Sequence, residues 1–104
     1  MQTGRAFSSH DMSMKTARWQ IRCYGQVQHV GFRYTALYLA RRLGLTGWVR
    51  NLQDGSVQME VQGDLAQIRQ FLIKLKSQPH LHISKAMIEE IPVLSGENRF
   101  RVIG

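Results

Sequence analysis

Two hydrophobic periods alternate along the chain in a fixed order, and that order limits the folds open to it. Trp19, Ile21 and Cys23 share one parity with polar residues between them, which is the period of a half-buried strand. Residues 33–43 then place their apolar side chains on one helical face, and Gly44 follows as a stop signal. The sequence therefore predicts a strand followed by an amphipathic helix.

The second half of the chain repeats these periods. Segments 45–51 and 56–62 alternate as strands do, and the Asp-Gly pair between them is a strong hairpin signal. Asp64 is a candidate N-cap for a second helix. A further strand is predicted over residues 81–93, and its alternation slips near Lys85–Ala86, which indicates a bulge.

The predicted order is β-α-β-β-α-β, with a short extra strand at the end of the chain. Two βαβ-like halves predict an α+β fold, a ferredoxin-like sandwich with an antiparallel sheet and both helices on one face. At 104 residues there is room for one domain, which we assign to residues 17–104. Residues 1–16 lack periodicity, so we expect a disordered lead that was appended to the natural chain or arises from an upstream start.

Composition narrows the classes of partner. The chain has 14 Lys+Arg against 7 Asp+Glu, and its net charge of +7 favours an anionic partner of some kind. No segment approaches the ~18–20 apolar residues of a membrane span, and no apolar signal region opens the chain. Cys23 is the only cysteine, and its alternating neighbours favour a buried structural thiol over a nucleophile. We therefore expect a cytoplasmic protein without a membrane partner.

Residues 25–33, between the first predicted strand and helix, have the character of an anion-binding loop. The segment carries two glycines, Gly25 and Gly31, and ends on Arg33 at the helix start. A cation is unfavourable there because the helix dipole is positive at its N-terminus, unless an anion lies between the two. An ordinary surface arginine is the alternative interpretation.

Asn51 is a second candidate, because it ends the strand that precedes the hairpin. An asparagine that only satisfies the turn is the common alternative, but a neutral amide can also orient a water without acting as a base. No acidic cluster suits Mg²⁺, so we expect no metal site and no cofactor. The histidines also lack the spacing of a metal site: His10, His29, His80 and His82.

Two coupled motifs carry a resemblance to a known family. Residues 25–33 read Gly-x-Val-Gln-x-Val-x-Phe-Arg, and residues 47–57 read Gly-Trp-Val-x-Asn-x-x-Asp-Gly-x-Val, with Val-x-Gly at 61–63. From about Ala17 to Ile103 the chain resembles the acylphosphatases. The resemblance implies a metal-free hydrolase that splits small acyl phosphates into carboxylate and inorganic phosphate. We also expect a monomer with no nucleic-acid partner.

The same resemblance implies which residues form the site. Arg33 would bind the phosphate and Asn51 would orient the attacking water, which makes these two the catalytic residues. Main-chain N–H groups of the loop at residues 26–32 would wrap the phosphate, and the substrate's own phosphate would take the proton from the water. The residues implied in substrate binding are Gln28, His29, Val30, Gly31, Phe32 and Arg33.

His29 departs from the family pattern, which usually has glycine at this position. If the loop needs a positive φ there, histidine costs ~1–2 kcal/mol of strain. Its side chain would point to solvent, shade the pocket, or add a positive group when protonated. A non-catalytic module that binds phosphate or carbamoyl phosphate is therefore the alternative function. Binding of RNA is a weaker hypothesis, because the strand at 56–62 has no aromatic residue.

Overall fold

A computed structural model describes residues 15–104. Residues 1–14 of the predicted lead lie outside this described part, and the first strand begins at Thr16. The elements, in chain order, are β1 Thr16–Gln26, α1 Phe32–Arg42, β2 Thr46–Asn51, β3 Val57–Asp64, α2 Leu65–Lys76, β4 His82–Ile91 and β5 Phe100–Val102.

The strands form one sheet in the order β4-β1-β3-β2-β5. The four longer strands pair antiparallel, which confirms the predicted ferredoxin-like arrangement. The short β5 pairs parallel with β2, so the sheet as a whole is mixed. This follows from the path of the chain, because β4 ends at the end of the sheet where β2 begins. A connection along that end enters β5 in the direction of β2.

The core lies between one face of the sheet and the two helices. Ile21 and Cys23 of β1 are fully buried, and Met59 of β3 lies opposite Ile21. From the helices, Ala36 and Phe71 are fully buried in the same cluster. Burial raises the pKa of the Cys23 thiol to about 11. A thiol that is buried and protonated at neutral pH is structural, as predicted.

The two helices begin in different ways. Asp64 caps α2, since its carboxylate accepts a hydrogen bond from the N–H of Ala66 at 3.0 Å, which confirms the predicted N-cap. α1 begins after Gly31 with no side-chain cap and no acidic residue in its first turn. Its first N–H groups are therefore left for another acceptor. Neither helix in residues 15–104 is long and apolar enough to cross a membrane.

The predicted hairpin and bulge are both present. Gly55 has φ +92°, and Asp54 accepts a hydrogen bond from the N–H of Ser56 at 2.9 Å, so the Asp-Gly pair makes the turn between β2 and β3. The register of β1 against β4 shifts after Tyr24, which leaves Ser84 as the extra residue. The bulge thus lies one residue before the predicted position.

The other face of the sheet carries a buried ion-pair network. Arg18 is 2% exposed, and its guanidinium lies 2.8 Å from the carboxylates of both Glu60 and Glu97. Gln62 accepts a further hydrogen bond from Arg18 at 3.0 Å and is bonded to the main chain of Leu94 in both directions. These contacts fasten the connection between β4 and β5 across the sheet.

Candidate active site

A small cleft of about 140 Å³ opens where the loop after β1, the start of α1 and the end of β2 meet. The loop and the helix start supply one wall and β2 supplies the other. The loop with its helix start and the end of β2 are distant in sequence, and they converge because β1 and β2 lie on either side of β3 in the sheet. The residues that line the cleft are Val27, His29, Gly31, Phe32, Arg33, Tyr34 and Asn51.

The loop leaves β1 at a point where only glycine fits. Gly25 has φ +122°, and a Cβ atom on it would lie 2.2 Å from the carbonyl oxygen of His82 on β4. Any larger residue would push the bulged end of β4 away from β1. The close approach of these two strands fixes where the loop begins, and therefore where it stands relative to α1.

The loop backbone is shaped for an anion. His29 (φ +63°) and Gly31 (φ +81°) are both left-handed, a conformation found in backbone concavities that bind anions. Within the described residues 15–104, the N–H groups of residues 28–32 donate to no main-chain acceptor. These donors lie at the positive end of the α1 dipole, so they favour a negative ligand.

Arg33 lies on the first turn of α1 and is half-buried in the wall of the cleft. Its Nη1 donates to the main-chain oxygen of Gly104 at 2.6 Å. The tail that carries Gly104 is itself held beside β2, because the N–H of Ile103 donates to Val49 at 2.9 Å. The guanidinium therefore has a fixed position at the cleft and retains further N–H donors for a ligand.

Asn51 faces the same cleft from the end of β2. Its Oδ1 atom is buried and has no hydrogen-bond partner among the described residues. Leaving a buried acceptor unpaired costs about 1–3 kcal/mol, so such an atom calls for a partner from outside the protein. A water or substrate atom in the cleft would satisfy it.

Gln28 lies outside the cleft wall and supports the loop that forms this wall. Its Nε2 donates to the carbonyl oxygens of Leu52 at 2.7 Å and Ser56 at 2.9 Å, which ties the loop to the β2–β3 hairpin. These bonds hold the residue after Asn51 against the loop. Val30 packs on the core and is not part of the cleft wall.

The structure thus brings together five of the residues singled out from the sequence and leaves Gln28 and Val30 outside the cleft wall. Sequence reasoning missed Tyr34, which lines the cleft, and Gly104, which holds the arginine. The position of Tyr34 directly after Arg33 at a helix start could have indicated its role. Nothing in the sequence pattern marks Gly104. The five residues brought together are His29, Gly31, Phe32, Arg33 and Asn51.

Chemically, the cleft offers N–H donors, one guanidinium and one neutral amide. Main-chain donors and an arginine together match the oxygens of a phosphoryl group. The amide can hold a water beside that group without removing its proton. Within residues 15–104, no group of three or more His, Cys, Asp or Glu side chains is placed to hold a metal ion.

Comparison with known proteins identifies similar chains. A sequence profile of the family described as Acylphosphatase matches residues 19–102. An acylphosphatase from Pediococcus pentosaceus is 43% identical over 71% of this chain and 84% of its own length. One from Lactobacillus johnsonii is 39% identical over 86% of this chain and 99% of its own length. The crystal structure of the Bacillus subtilis acylphosphatase superposes with a TM-score of 0.80, at 30% identity, over 85% of this chain and 99% of that one.

Proposed function

This chain belongs to the acylphosphatase family, and from that premise we propose that its cleft hydrolyses acyl phosphates to a carboxylate and inorganic phosphate. The observation that carries the proposal is the buried Oδ1 of Asn51, which has no hydrogen-bond partner among residues 15–104 and lies in the same cleft as Arg33. An arginine beside open N–H groups binds an oxyanion, and an amide oxygen without a partner positions a water. Together they would hold the two reactants of a hydrolysis, the acyl phosphate and the water, side by side.

In the proposed complex the phosphate lies in the loop at the start of α1. The N–H groups of residues 28–32 and the guanidinium of Arg33 donate to its oxygens. Phosphoryl transfer spreads negative charge over these oxygens in the transition state, so fixed donors stabilise the transition state more than the ground state. The contact of Arg33 with Gly104 keeps the guanidinium in place before the substrate arrives.

Asn51 then holds the attacking water through its Oδ1 atom. The water oxygen forms a bond to phosphorus, the bond between phosphorus and the carboxyl oxygen breaks, and the carboxylate leaves. A phosphate oxygen of the substrate takes the proton of the water. A carboxylate is a good leaving group, so positioning and charge stabilisation supply most of the rate without a strong base.

We further propose that the domain acts as a cytoplasmic monomer. One chain builds the whole cleft, so no second copy is needed to complete it. A single buried and unpaired cysteine, Cys23, fits a reducing compartment. Sedimentation velocity at assay concentrations tests the oligomeric state.

The first test replaces Arg33. With benzoyl phosphate as substrate, in the presence of a metal chelator, Arg33→Ala is expected to lower kcat/KM by about 10²–10³-fold, as loss of an oxyanion donor does. The variant should also lose affinity for inorganic phosphate, measured by NMR titration. Arg50→Ala is the matched control, because Arg50 is exposed on β2 and bonded to Gln58.

Two results would contradict the proposal. One is an Arg33→Ala enzyme that retains most of the wild-type rate. The other is a wild-type protein that binds phosphate but turns over no acyl phosphate, which would favour the non-catalytic binding module.

A further inference from the structure

A second depression adjoins the cleft along α1. It has a volume of about 370 Å³ and is lined by Tyr34, Leu37, Tyr38, Arg41 and Arg42. Tyr34 also lines the catalytic cleft, so the two depressions share this residue. We call this depression the acyl groove. We propose that the acyl groove binds the acyl group of the substrate and selects acyl phosphates whose acyl group is flat and apolar near the carboxyl and anionic at its far end.

The size of the cleft is the first argument. At about 140 Å³ it is smaller than the ~300–1,000 Å³ of pockets that enclose whole organic ligands. A phosphoryl group and a water fill such a space, since a water alone takes ~30 Å³. A large acyl group therefore extends beyond the cleft. The acyl groove shares Tyr34 with the cleft, so an acyl group that extends beyond the cleft can lie in the groove.

The exposure of the tyrosines is the second argument. Tyr34 is 68% exposed and Tyr38, one turn later, is 59% exposed. Residues four apart lie on the same face of a helix, so the two rings and Leu37 make one apolar surface. A flat acyl group stacked on Tyr34 would remove one face of the tyrosine ring and one face of its own from water. Such stacking is favourable between aromatic groups.

The charge at the far end is the third argument. Arg41 lies seven positions after Tyr34 on α1, a rise of ~10 Å. Arg42 already donates to the Tyr38 hydroxyl at 2.8 Å, whereas Arg41 has no acidic partner within residues 15–104. An acyl group that reaches along the groove therefore ends beside an open guanidinium, which favours a carboxylate or phosphate there.

This inference rests on the proposed function, so its test uses binding as well as turnover. Phenacylphosphonate carries a methylene in place of the anhydride oxygen and cannot be hydrolysed; acetonylphosphonate is its methyl counterpart. The wild-type protein should bind the phenacyl probe about two- to tenfold more tightly, the range for one aromatic contact. Tyr34→Ala should abolish this preference and Tyr34→Phe should retain it. Ile73→Ala, at an apolar site on α2 that is 59% exposed, is the control.

A third probe, 4-carboxyphenacylphosphonate, tests the anionic end. It should bind about two- to fivefold more tightly than the neutral phenacyl probe, and Arg41→Gln should remove that gain without changing affinity for acetonylphosphonate. Equal affinity of the wild type for all three probes would overturn the inference. A wild-type dimer that Tyr34→Ala converts into a monomer with higher affinity for the phenacyl probe would also overturn it, because the tyrosine face would then be a self-association surface.

The proposed function and the acyl groove can be refuted independently. Hydrolysis of acetyl phosphate without preference among the three phosphonates would refute the acyl groove and leave the proposed function intact. Discrimination among the phosphonates without hydrolysis of any acyl phosphate would refute the proposed function and leave the acyl groove intact.

Discussion

At the scale of single residues, His29 is the most unusual feature of the site. It is the only residue other than glycine with a positive φ among residues 15–104, at +63°. Its side chain is exposed while still contributing to the cleft wall. The sequence left open whether the loop needs a positive φ here; the structure has one, and histidine tolerates this conformation better than most side chains. The loop therefore makes its left-handed turn with a residue other than glycine at this position.

We expect His29→Gly to change stability little. Glycine removes strain of about 1 kcal/mol but adds a similar amount of unfolded-state entropy. His29→Val, in contrast, should destabilise the protein by about 1–2 kcal/mol, because a β-branched residue is poorly tolerated at positive φ. Urea unfolding of both variants measures this difference. A valine variant as stable as the wild type would mean that the loop does not hold this residue in the left-handed region.

At the scale of elements, the sequence predicted those turns and helix ends that depend only on neighbouring residues. The hairpin follows from the turn preferences of an Asp-Gly pair, and the start of α2 follows from the capping side chain of Asp64. The parallel pairing of β5 could not be predicted in this way. It depends on where the chain arrives after β4, and no residue of β5 itself encodes that position.

The candidate site likewise combines residues that the sequence predicted with contacts that it could not predict. The coupled motifs predicted that Arg33 and Asn51 act together, and both residues line the same cleft. The hydrogen bonds of Gln28 to the hairpin and of Arg33 to Gly104 join segments that are 24 or more residues apart. Such contacts require the folded arrangement of the sheet. They are invisible to periodicity and spacing.

At the scale of the whole molecule, the Arg18 network shows how far tertiary structure overrides a pattern. The alternation of β1 places Arg18 on the polar parity, yet the β4–β5 connection covers it and leaves it 2% exposed. Burial opposes ionisation of Glu97, but the hydrogen bonds from Arg18 and Thr46 outweigh it, so the pKa of this carboxyl lies below its usual value. The charge of Glu97 therefore stabilises the fold.

Ionisation of Glu97 should make the free energy of unfolding depend on pH. Because the folded pKa of Glu97 is depressed, its contribution is fully present above the unfolded value of about 4.3 and is lost as the pH falls through the folded pKa. Glu97→Gln should cost about 1–3 kcal/mol at pH 7, and the cost should shrink below about pH 4. Urea unfolding across this pH range measures it, with the exposed Glu89→Gln as control. A cost that does not depend on pH would contradict the assignment.

The central claim is that Asn51 positions the water that attacks the phosphorylated substrate. The most direct measurement compares Asn51→Ala with the wild type on benzoyl phosphate, with Gln53→Ala, an exposed amide of the same hairpin, as control. We predict that kcat falls by about 10²–10³-fold while affinity for inorganic phosphate stays unchanged, because Arg33 and the loop remain intact. An Asn51→Ala enzyme that keeps most of the wild-type kcat would contradict the account.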